Sequence, residues 1–278
     1  MEGIVSAAGA ERCATARAER AGGGRRTGRA VRVHVTGATG FLGSELLRLA
    51  PGATGTRVEV RDEAAVSALL RRLRPDVVIH TAYRQSGDGA RETVVEGSEN
   101  VARAAVAVGA RLLHVSTDVV FDGRKGAPYL EEDTPSPCTA YGRAKADAEA
   151  RVRTAAPEAL IVRTSLIVGG PGHAPSRHEL AASDPAAVFF EDELRSPVQV
   201  GDLAAALLEL AALGLSGPLN VAGADDLSRA ELAELAAGHP VRRARAPAGR
   251  PLDCSLDSSR ARALLGAQLR GVRSLFQR

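Results

Sequence analysis

Short apolar runs alternate with longer amphipathic stretches along the first half of the chain. The segments with strand character are Val31–Thr36, Thr56–Val60, Val77–His80 and Arg111–Thr117. The segments with apolar residues at helical spacing lie between them: Phe41–Ala50, Asp62–Leu73 and Glu92–Val108. This alternation predicts parallel strands joined by helices, which is an α/β fold with a doubly wound parallel sheet.

The second half has a less regular pattern. Gly169–Ser183, with Gly, Pro and His, is typical of a mobile loop. It is followed by a predicted strand at Val198–Val200 and a helix at Leu203–Leu213 capped by Asp202. A capping box at Ser228–Glu231 opens another helix, and Leu256–Gly266 predicts the last one. We therefore predict a nucleotide-binding domain at 31–168 and a small C-terminal substrate-binding lobe at 169–278, partly interleaved with it. Residues 1–30, rich in Ala, Gly and Arg, are predicted to be a disordered tail.

Composition excludes several classes of protein. The hydrophobic content of 45% is enough for a core, and no apolar run approaches the ~18 residues of a membrane span. The 36 basic and 33 acidic residues are spread along the chain and aromatic content is 3%, so no nucleic-acid surface is expected. Three widely spaced cysteines indicate neither a disulfide framework nor a metal site, which favours a reducing cytoplasm.

A glycine-rich turn joins the first strand to the first helix. In Thr36–Gly43, Gly37 would permit the tight turn, Gly40 the close approach of backbone to a pyrophosphate, and Gly43 the packing of helix on strand. The helix N-terminus adds free N–H groups for phosphates. The turn therefore predicts a Rossmann-type site for NADP or NAD. The cofactor contacts expected in this turn and directly after the strand Val77–His80 are Gly37, Thr39, Gly40, Phe41, Leu42, Gly43, Thr81 and Ala82. Tyr141 and Lys145, further along the chain, are expected to contact the cofactor as well.

The residues of the predicted second strand are candidates for contact with the ribose of the cofactor. Only ten residues separate Ala50 from Arg61, so we expect the second and third strands to be trimmed or merged into Thr56–Val60. Glu59 lies near the distance at which an acidic residue bonds the ribose, and Arg57 could instead meet a 2′-phosphate. Both could equally be solvated strand residues, so the choice between NAD and NADP stays open.

A tyrosine and a lysine predict proton chemistry. Tyr141 and Lys145 are four residues apart at the start of a helix that Thr139 can cap, so they share one face. Reduction of a carbonyl by hydride requires a proton donor, and an ammonium at ~4 Å with an effective dielectric of ~20 would lower a phenol pKa of ~10 by ~3 units. Thr117, at the end of the fourth strand, would bond the same carbonyl oxygen. Of 36 basic residues only Lys125 and Lys145 are lysines, which suggests that the site requires a compact charge.

Three segments in this order resemble the extended short-chain dehydrogenase/reductases, and most closely their dTDP-4-dehydrorhamnose reductase branch. The segments are Thr36–Gly43, Ser116–Gly123 and Tyr141–Lys145. The resemblance implies a catalytic triad of Thr117, Tyr141 and Lys145, a nicotinamide cofactor, and a C-terminal lobe for a nucleotide-activated sugar. It also places Glu59 and Val60 near the adenine.

Other polar residues are candidates for substrate contact. Asp118 could orient a substrate or close a turn, and Arg163 could meet a phosphate or pair with a buried acid. Arg195 could contact a diphosphate or form a surface ion pair. His80 is expected to be a hydrogen-bonded structural imidazole, and His173 and His178 are too loosely spaced to bind a metal.

The leading hypothesis is an NAD(P)H-dependent reductase of a nucleotide-diphospho-4-keto sugar, with a homodimer left open. Val94 stands where the family usually has asparagine. That departure leaves room for a non-catalytic NADP-binding regulatory subunit similar to the methionine adenosyltransferase β subunit. Another sugar-nucleotide conversion, such as epimerisation, is the third alternative.

Overall fold

A parallel sheet forms the centre of the computed structural model, which describes residues 31–277. The predicted disordered tail, residues 1–30, lies outside the described residues. The strands are β1 (Val33–Thr36), β2 (Thr54–Gly55), β3 (Val77–His80), β4 (Arg111–Thr117), β5 (Leu160–Thr164), β6 (Ile167–Val168), β7 (Val188–Phe190), β8 (Leu194–Arg195), β9 (Val198–Gln199), β10 (Gly217–Asn220), β11 (Leu227–Ser228) and β12 (Arg242–Ala244).

Helices connect these strands and cover both faces of the sheet. They are α1 (Phe41–Leu49), α2 (Glu63–Leu73), α3 (Ala90–Ala107), α4 (Ala140–Ala155), α5 (Arg177–Ala182), α6 (Val200–Ala212), α7 (Arg229–Ala237), α8 (Ser259–Leu264) and α9 (Val272–Phe276). No helix among the described residues is long and apolar enough to cross a membrane.

The order of the strands locates the ligand side of the sheet. Six strands pair in the order β10-β5-β4-β3-β1-β2, and every pairing is parallel. The chain leaves β1 towards β2 on one side and returns to β3 on the other, so the order reverses beside β1. A crevice at such a switch point, at the carboxyl ends of the strands, is the usual ligand site of a doubly wound sheet. The predicted α/β fold class is confirmed.

Two apolar layers hold the helices on the sheet. On one face, α1 and α6 pack on β1, β3, β4 and β5 through buried residues that include Leu46, Ile79 and Leu207. On the other face, α2, α3 and α4 pack through residues that include Val78 and Val101. Successive residues of one strand, such as Val78 and Ile79, therefore serve opposite layers, which explains the continuous apolar run of β3.

The expected second strand, Thr56–Val60, is wrong in position. The strand that pairs with β1 is Thr54–Gly55, and the chain leaves the sheet at Thr56. Val60 is buried, but a Cβ on Gly97 of α3 would lie 2.5 Å from its side chain, and its carbonyl accepts a hydrogen bond from Asn100. Val60 therefore packs under α3 and is not part of the sheet.

Other boundaries in the second half also differ from expectation. The cap of α6 is Gln199, which accepts a hydrogen bond from the Asp202 N–H, while Asp202 itself pairs with Arg270. The expected loop Gly169–Ser183 contains α5, opened by a capping box at Ser176. The last predicted helix is shortened to α8, and α9 follows it.

Candidate active site

A cavity of about 750 Å³ opens at the carboxyl ends of β1, β3, β4 and β5. Three groups of residues line its wall. Gly40–Gly43 and Thr81 follow β1 and β3, Thr117 ends β4 beside Tyr141 and Lys145 of α4, and a third part of the wall is rich in arginine. The predicted catalytic residues and most of the predicted glycine turn therefore line the same cavity.

The glycine turn has the geometry of a phosphate cradle. Gly37 has a left-handed φ of 74°, and a Cβ there would lie 2.6 Å from the Ala82 backbone nitrogen. A Cβ on Gly43 would lie 2.2 Å from the Gly37 carbonyl oxygen. Gly40 caps α1 without a side-chain hydrogen bond, so the first-turn N–H groups of the helix face the cavity free of an intrahelical partner. These residues fit a pyrophosphate group.

The remaining predicted cofactor contacts lie around this cradle. Thr81 lines the cavity and donates to the Thr36 carbonyl over 2.7 Å, and Ala82 packs against Gly37. Thr39 is exposed beside Gly40. None of Arg57, Glu59 and Val60 is part of the cavity wall.

Glu59 is not a free ribose acceptor in this structure. Its carboxylate accepts hydrogen bonds from the Arg61 backbone and side chain, and this interaction lowers its pKa to about 2. Arg57 is exposed and its side chain contacts no acidic group among the described residues. The expectation of a ribose bond from Glu59 therefore requires the Arg61 pair to break.

Helix α4 presents the tyrosine and the lysine to the cavity. Thr139 caps the helix as expected, because its hydroxyl accepts from the Gly142 N–H at 3.0 Å. Lys145 is 3% exposed, and its ammonium donates to the Val115 carbonyl over 2.7 Å. Tyr141 lies one helical turn earlier, with its ring centroid 6.2 Å from that of Tyr83.

The electrostatics of this pair differ from the sequence argument. Burial raises the pKa of the Tyr141 phenol, and nearby Tyr83 and Asp118 raise it further. Burial lowers the pKa of Lys145 to about 8, against the attraction of Glu149. The expected lowering of the phenol pKa by Lys145 is therefore wrong for this arrangement, because burial dominates and the ammonium donates to the Val115 carbonyl.

Asp118 and Arg195 are buried next to each other in the wall of the cavity. Asp118 accepts hydrogen bonds from Thr117 at 3.0 Å and Ser165 at 2.6 Å, while burial raises its pKa. The Arg195 Nε lies 3.7 Å from Asp118, and its terminal nitrogens donate to the carbonyls of Leu194, Pro251 and Leu252. Arg195 is thus a buried structural cation and not the surface ion pair considered above.

The prediction that Arg163 contacts substrate is contradicted by its position. Arg163 is 3% exposed and is not part of the cavity wall. Its guanidinium pairs with Glu149 at 2.9 Å and donates to the Glu131 carbonyl. Of the two alternatives, the buried acid is the correct one.

His80 and His114 are buried beneath the lysine. His80 is hydrogen-bonded to Thr36 at 2.6 Å and to Ser98 at 3.1 Å, as expected of a structural imidazole. His114 stacks on it at 5.3 Å, and neither of its ring nitrogens has a partner among the described residues. Burial holds the pKa of both rings well below the usual value, so both are neutral.

The arginine-rich part of the cavity wall was missed by sequence reasoning. Arg229 is the first residue of α7, partly buried, and its side chain forms no hydrogen bond or ion pair with any described residue. Burial lowers its pKa, and Arg177, Arg195 and Arg250 lower it further, against the opposing effect of Glu193. The sequence showed only a capping box here, and with so many arginines in the chain no single one stood out.

The fold and the site together define a dinucleotide-binding α/β protein with a Tyr-x-x-x-Lys pair at the carboxyl edge of its sheet. The family model described as the RmlD substrate binding domain matches residues 31–278. The chain belongs to this family.

Relatives and solved structures agree with the assignment. A dTDP-4-dehydrorhamnose reductase of Mycobacterium tuberculosis is 39% identical over 211 residues, which cover 68% of this chain and 69% of that protein. The crystal structure of a hypothetical dTDP-4-dehydrorhamnose reductase from Sulfolobus tokodaii is 31% identical with a TM-score of 0.75, covering 86% of this chain and 97% of that one. The structure of dTDP-4-dehydrorhamnose reductase from Bacillus anthracis in complex with NADP is 25% identical with a TM-score of 0.79, covering 89% and 98%.

Proposed function

We propose that this protein is an NAD(P)H-dependent reductase of a nucleotide-diphospho-4-keto sugar, with an activity like that of dTDP-4-dehydrorhamnose reductases. The observation that carries the proposal is the single cavity that joins a phosphate cradle, the residues Thr117, Tyr141 and Lys145, and a cluster of arginines. These are the three parts that a hydride transfer to a sugar nucleotide requires.

Thr117, Tyr141 and Lys145 each have a separate role in the reduction. A bound nicotinamide cofactor supplies the hydride. Tyr141 donates its phenolic proton to the carbonyl oxygen of the sugar, and its raised pKa keeps that proton in place until the oxygen becomes an alkoxide. Thr117 donates a hydrogen bond to the same oxygen once its hydroxyl turns away from Asp118, to which it donates in this structure. Lys145 supplies a buried positive charge beside the developing anion.

Arg229 is the residue we assign to the diphosphate of the substrate, in place of Arg163 and Arg195. An unpaired, partly buried guanidinium is costly to keep charged, and a phosphate relieves that cost by bidentate hydrogen bonding. Arg163 and Arg195 already donate to protein groups. Arg177 and Arg250 also line the cavity, and their charges act on Arg229.

On the ribose side the charges favour NADP over NAD. The carboxylate that would bond a free 2′-hydroxyl, Glu59, is paired with Arg61. Arg57 lies two residues after β2 and has no acidic partner in the described part of the chain, so it is available to a 2′-phosphate. Fluorescence titration should give tighter binding of NADPH than of NADH, and Arg57→Gln should reduce that difference.

The proposal is tested by removing the proton donor. In Tyr141→Phe we expect keto-sugar turnover to fall by about 10²–10⁴-fold, while NADPH binding measured by fluorescence stays within a factor of two or so of wild type. Full activity in this variant would refute the assignment. A wild-type protein that binds NADPH but reduces no nucleotide-activated keto sugar would instead support the regulatory-subunit alternative.

A further inference from the structure

A buried carboxylate lies one helical turn beyond the lysine of the site. Tyr141, Lys145 and Glu149 are spaced at i, i+4 and i+8 on α4, so they follow one face of the helix. Glu149 is 4% exposed and Lys145 is 3% exposed. Glu149 contributes no atom to the cavity wall, so it does not touch a ligand there.

Two neighbouring residues of β4 anchor the two charges. The Lys145 ammonium donates to the Val115 carbonyl, and the Ser116 hydroxyl donates to the Glu149 carboxylate. Arg163 on β5 holds the other side of that carboxylate, with Nε and Nη2 donating over 2.9–3.3 Å. The carboxylate is therefore fixed in place beneath the site.

We propose that Glu149, held by Arg163 and Ser116, is a positioning residue that keeps Lys145 a cation in its buried site. The inference rests on the proposed function, because it assigns a supporting residue to that same site. An ammonium removed from water requires a compensating charge or it loses its proton. The family resemblance predicted Lys145 but gave no reason why it stays charged, and Glu149 supplies one.

The other groups around Lys145 do not replace this charge. From β3 and β4, His80 and His114 are neutral; from α4 itself, Tyr141 is protonated. Asp118, beyond the end of β4, has a raised pKa and faces Arg195. On α3 the charged side chains that approach α4 are engaged at its rim, in the pairs Arg91–Asp147 and Glu99–Arg151. Glu149 is the group that raises the pKa of Lys145 against the effect of burial.

Removal of the Glu149 charge should change the pH at which Lys145 loses its proton. Glu149→Gln keeps the shape and an acceptor for Ser116, but it also leaves Arg163 as an uncompensated buried cation. Both the lost carboxylate and the uncompensated Arg163 disfavour the protonated form of Lys145. Arg163→Gln favours the protonated form, because it leaves the Glu149 carboxylate without its own cation.

The chain has only two lysines, which makes the measurement simple. Protein labelled with [ε-¹³C]lysine gives two resonances. Lys125 pairs with Asp133 and does not line the cavity, so its resonance serves as the internal reference. In the cofactor-free wild type we expect Lys145 to titrate near pH 8. In Glu149→Gln its midpoint should fall by about one pH unit or more, and in Arg163→Gln it should rise.

The matched control is Asp147→Asn. It removes the same charge from the same helix, but Asp147 is exposed and faces Arg91. The Lys145 midpoint should not move in this variant. An unchanged midpoint in folded Glu149→Gln would overturn the proposal, and if that variant fails to fold, an unchanged midpoint in Arg163→Gln would do so.

A second readout connects the charge to turnover. The alkaline limb of the kcat profile should move to lower pH in Glu149→Gln by the same amount as the lysine resonance, which a loss of structure alone would not produce. Because the resonance is measured without cofactor or substrate, it tests the role of Glu149 even if the protein proves not to be a reductase. Tyr141→Phe tests that function separately.

Discussion

Arg229 makes the sharpest prediction at the scale of single residues. Arg229→Gln should raise the KM for the nucleotide sugar by about tenfold or more, since hydrogen bonds to a charged phosphate contribute about 1.5–3 kcal/mol each, and 1.4 kcal/mol corresponds to tenfold. NADPH binding should be unchanged, because the phosphate cradle is the glycine turn and Arg229 belongs to the arginine-rich part of the wall. Steady-state kinetics and a separate cofactor titration measure the two effects.

The control for this variant is Arg245→Gln. The Arg245 side chain is 85% exposed and lies 4.0 Å from Glu191, its ion-pair partner. Its loss should change neither the KM for the nucleotide sugar nor the affinity for NADPH. If KM rises equally in both variants, net charge alone accounts for the effect and Arg229 makes no specific contact.

Single residues also show where sequence reasoning reaches its limit. Lys145 could be predicted because lysine is rare in this chain, so its presence beside Tyr141 carried information. Arginine is common, and nothing local distinguishes Arg229, which is unpaired, from Arg163, which is buried against Glu149. The difference lies in partners distant in sequence, and only the folded chain reveals them.

At the scale of elements, the glycine turn and α1 act as one unit. Gly43→Ala would place a Cβ 2.2 Å from the Gly37 carbonyl, a backbone atom that cannot move without displacing the turn. We expect a loss of about 1–3 kcal/mol in the free energy of unfolding, together with weaker NADPH binding. Thermal or denaturant unfolding and a fluorescence titration measure the two effects.

Gly52→Ala is the matched substitution for that test. Gly52 follows the same helix, and a Cβ there would meet nothing within 4 Å. Its stability and cofactor affinity should equal those of wild type. Equal behaviour of the two alanine variants would contradict the close packing of α1 against the turn.

The elements differ in how well their pattern predicted them. The bounds of β3 and β4 were predicted correctly from the sequence, and in β3 the reason is the continuous apolar run of a strand buried between two helical layers. The second strand was wrong by several residues, because Val58 and Val60 have strand-like side chains but pack against the helical layer and not within the sheet. Periodicity reports burial, and it does not report which neighbour covers the residue.

At the scale of the whole molecule, buried neutral histidines make the fold sensitive to acid. Burial lowers the pKa of His34, His80, His114 and His178, in the case of His80 and His178 to about 3. Between that value and the ordinary 6.5, the unfolded chain binds protons that the folded chain does not. The free energy of unfolding therefore rises with pH in this window, and the protein loses stability as the pH falls below about 6.5.

The size and origin of this effect can be tested together. Each fully buried ring contributes up to about 1.4 kcal/mol per pH unit, so urea unfolding at pH 7 and pH 5 should differ by several kcal/mol. The raised pKa values of Asp118 and Asp226 work in the opposite direction, but they are two groups against four. The carboxylates with lowered pKa values, such as Glu179, contribute only below about pH 4.5.

His114→Leu isolates one ring of this set. Because neither nitrogen of His114 has a partner among the described residues, an apolar side chain of similar size should leave the stability at pH 7 equal or higher. The substitution should also reduce the loss of unfolding free energy between pH 7 and pH 5 by about the amount that one buried ring contributes. His239→Asn, which replaces an exposed histidine, should keep the wild-type slope. If the slope is the same in all three proteins, His114 does not contribute to the acid sensitivity of the fold.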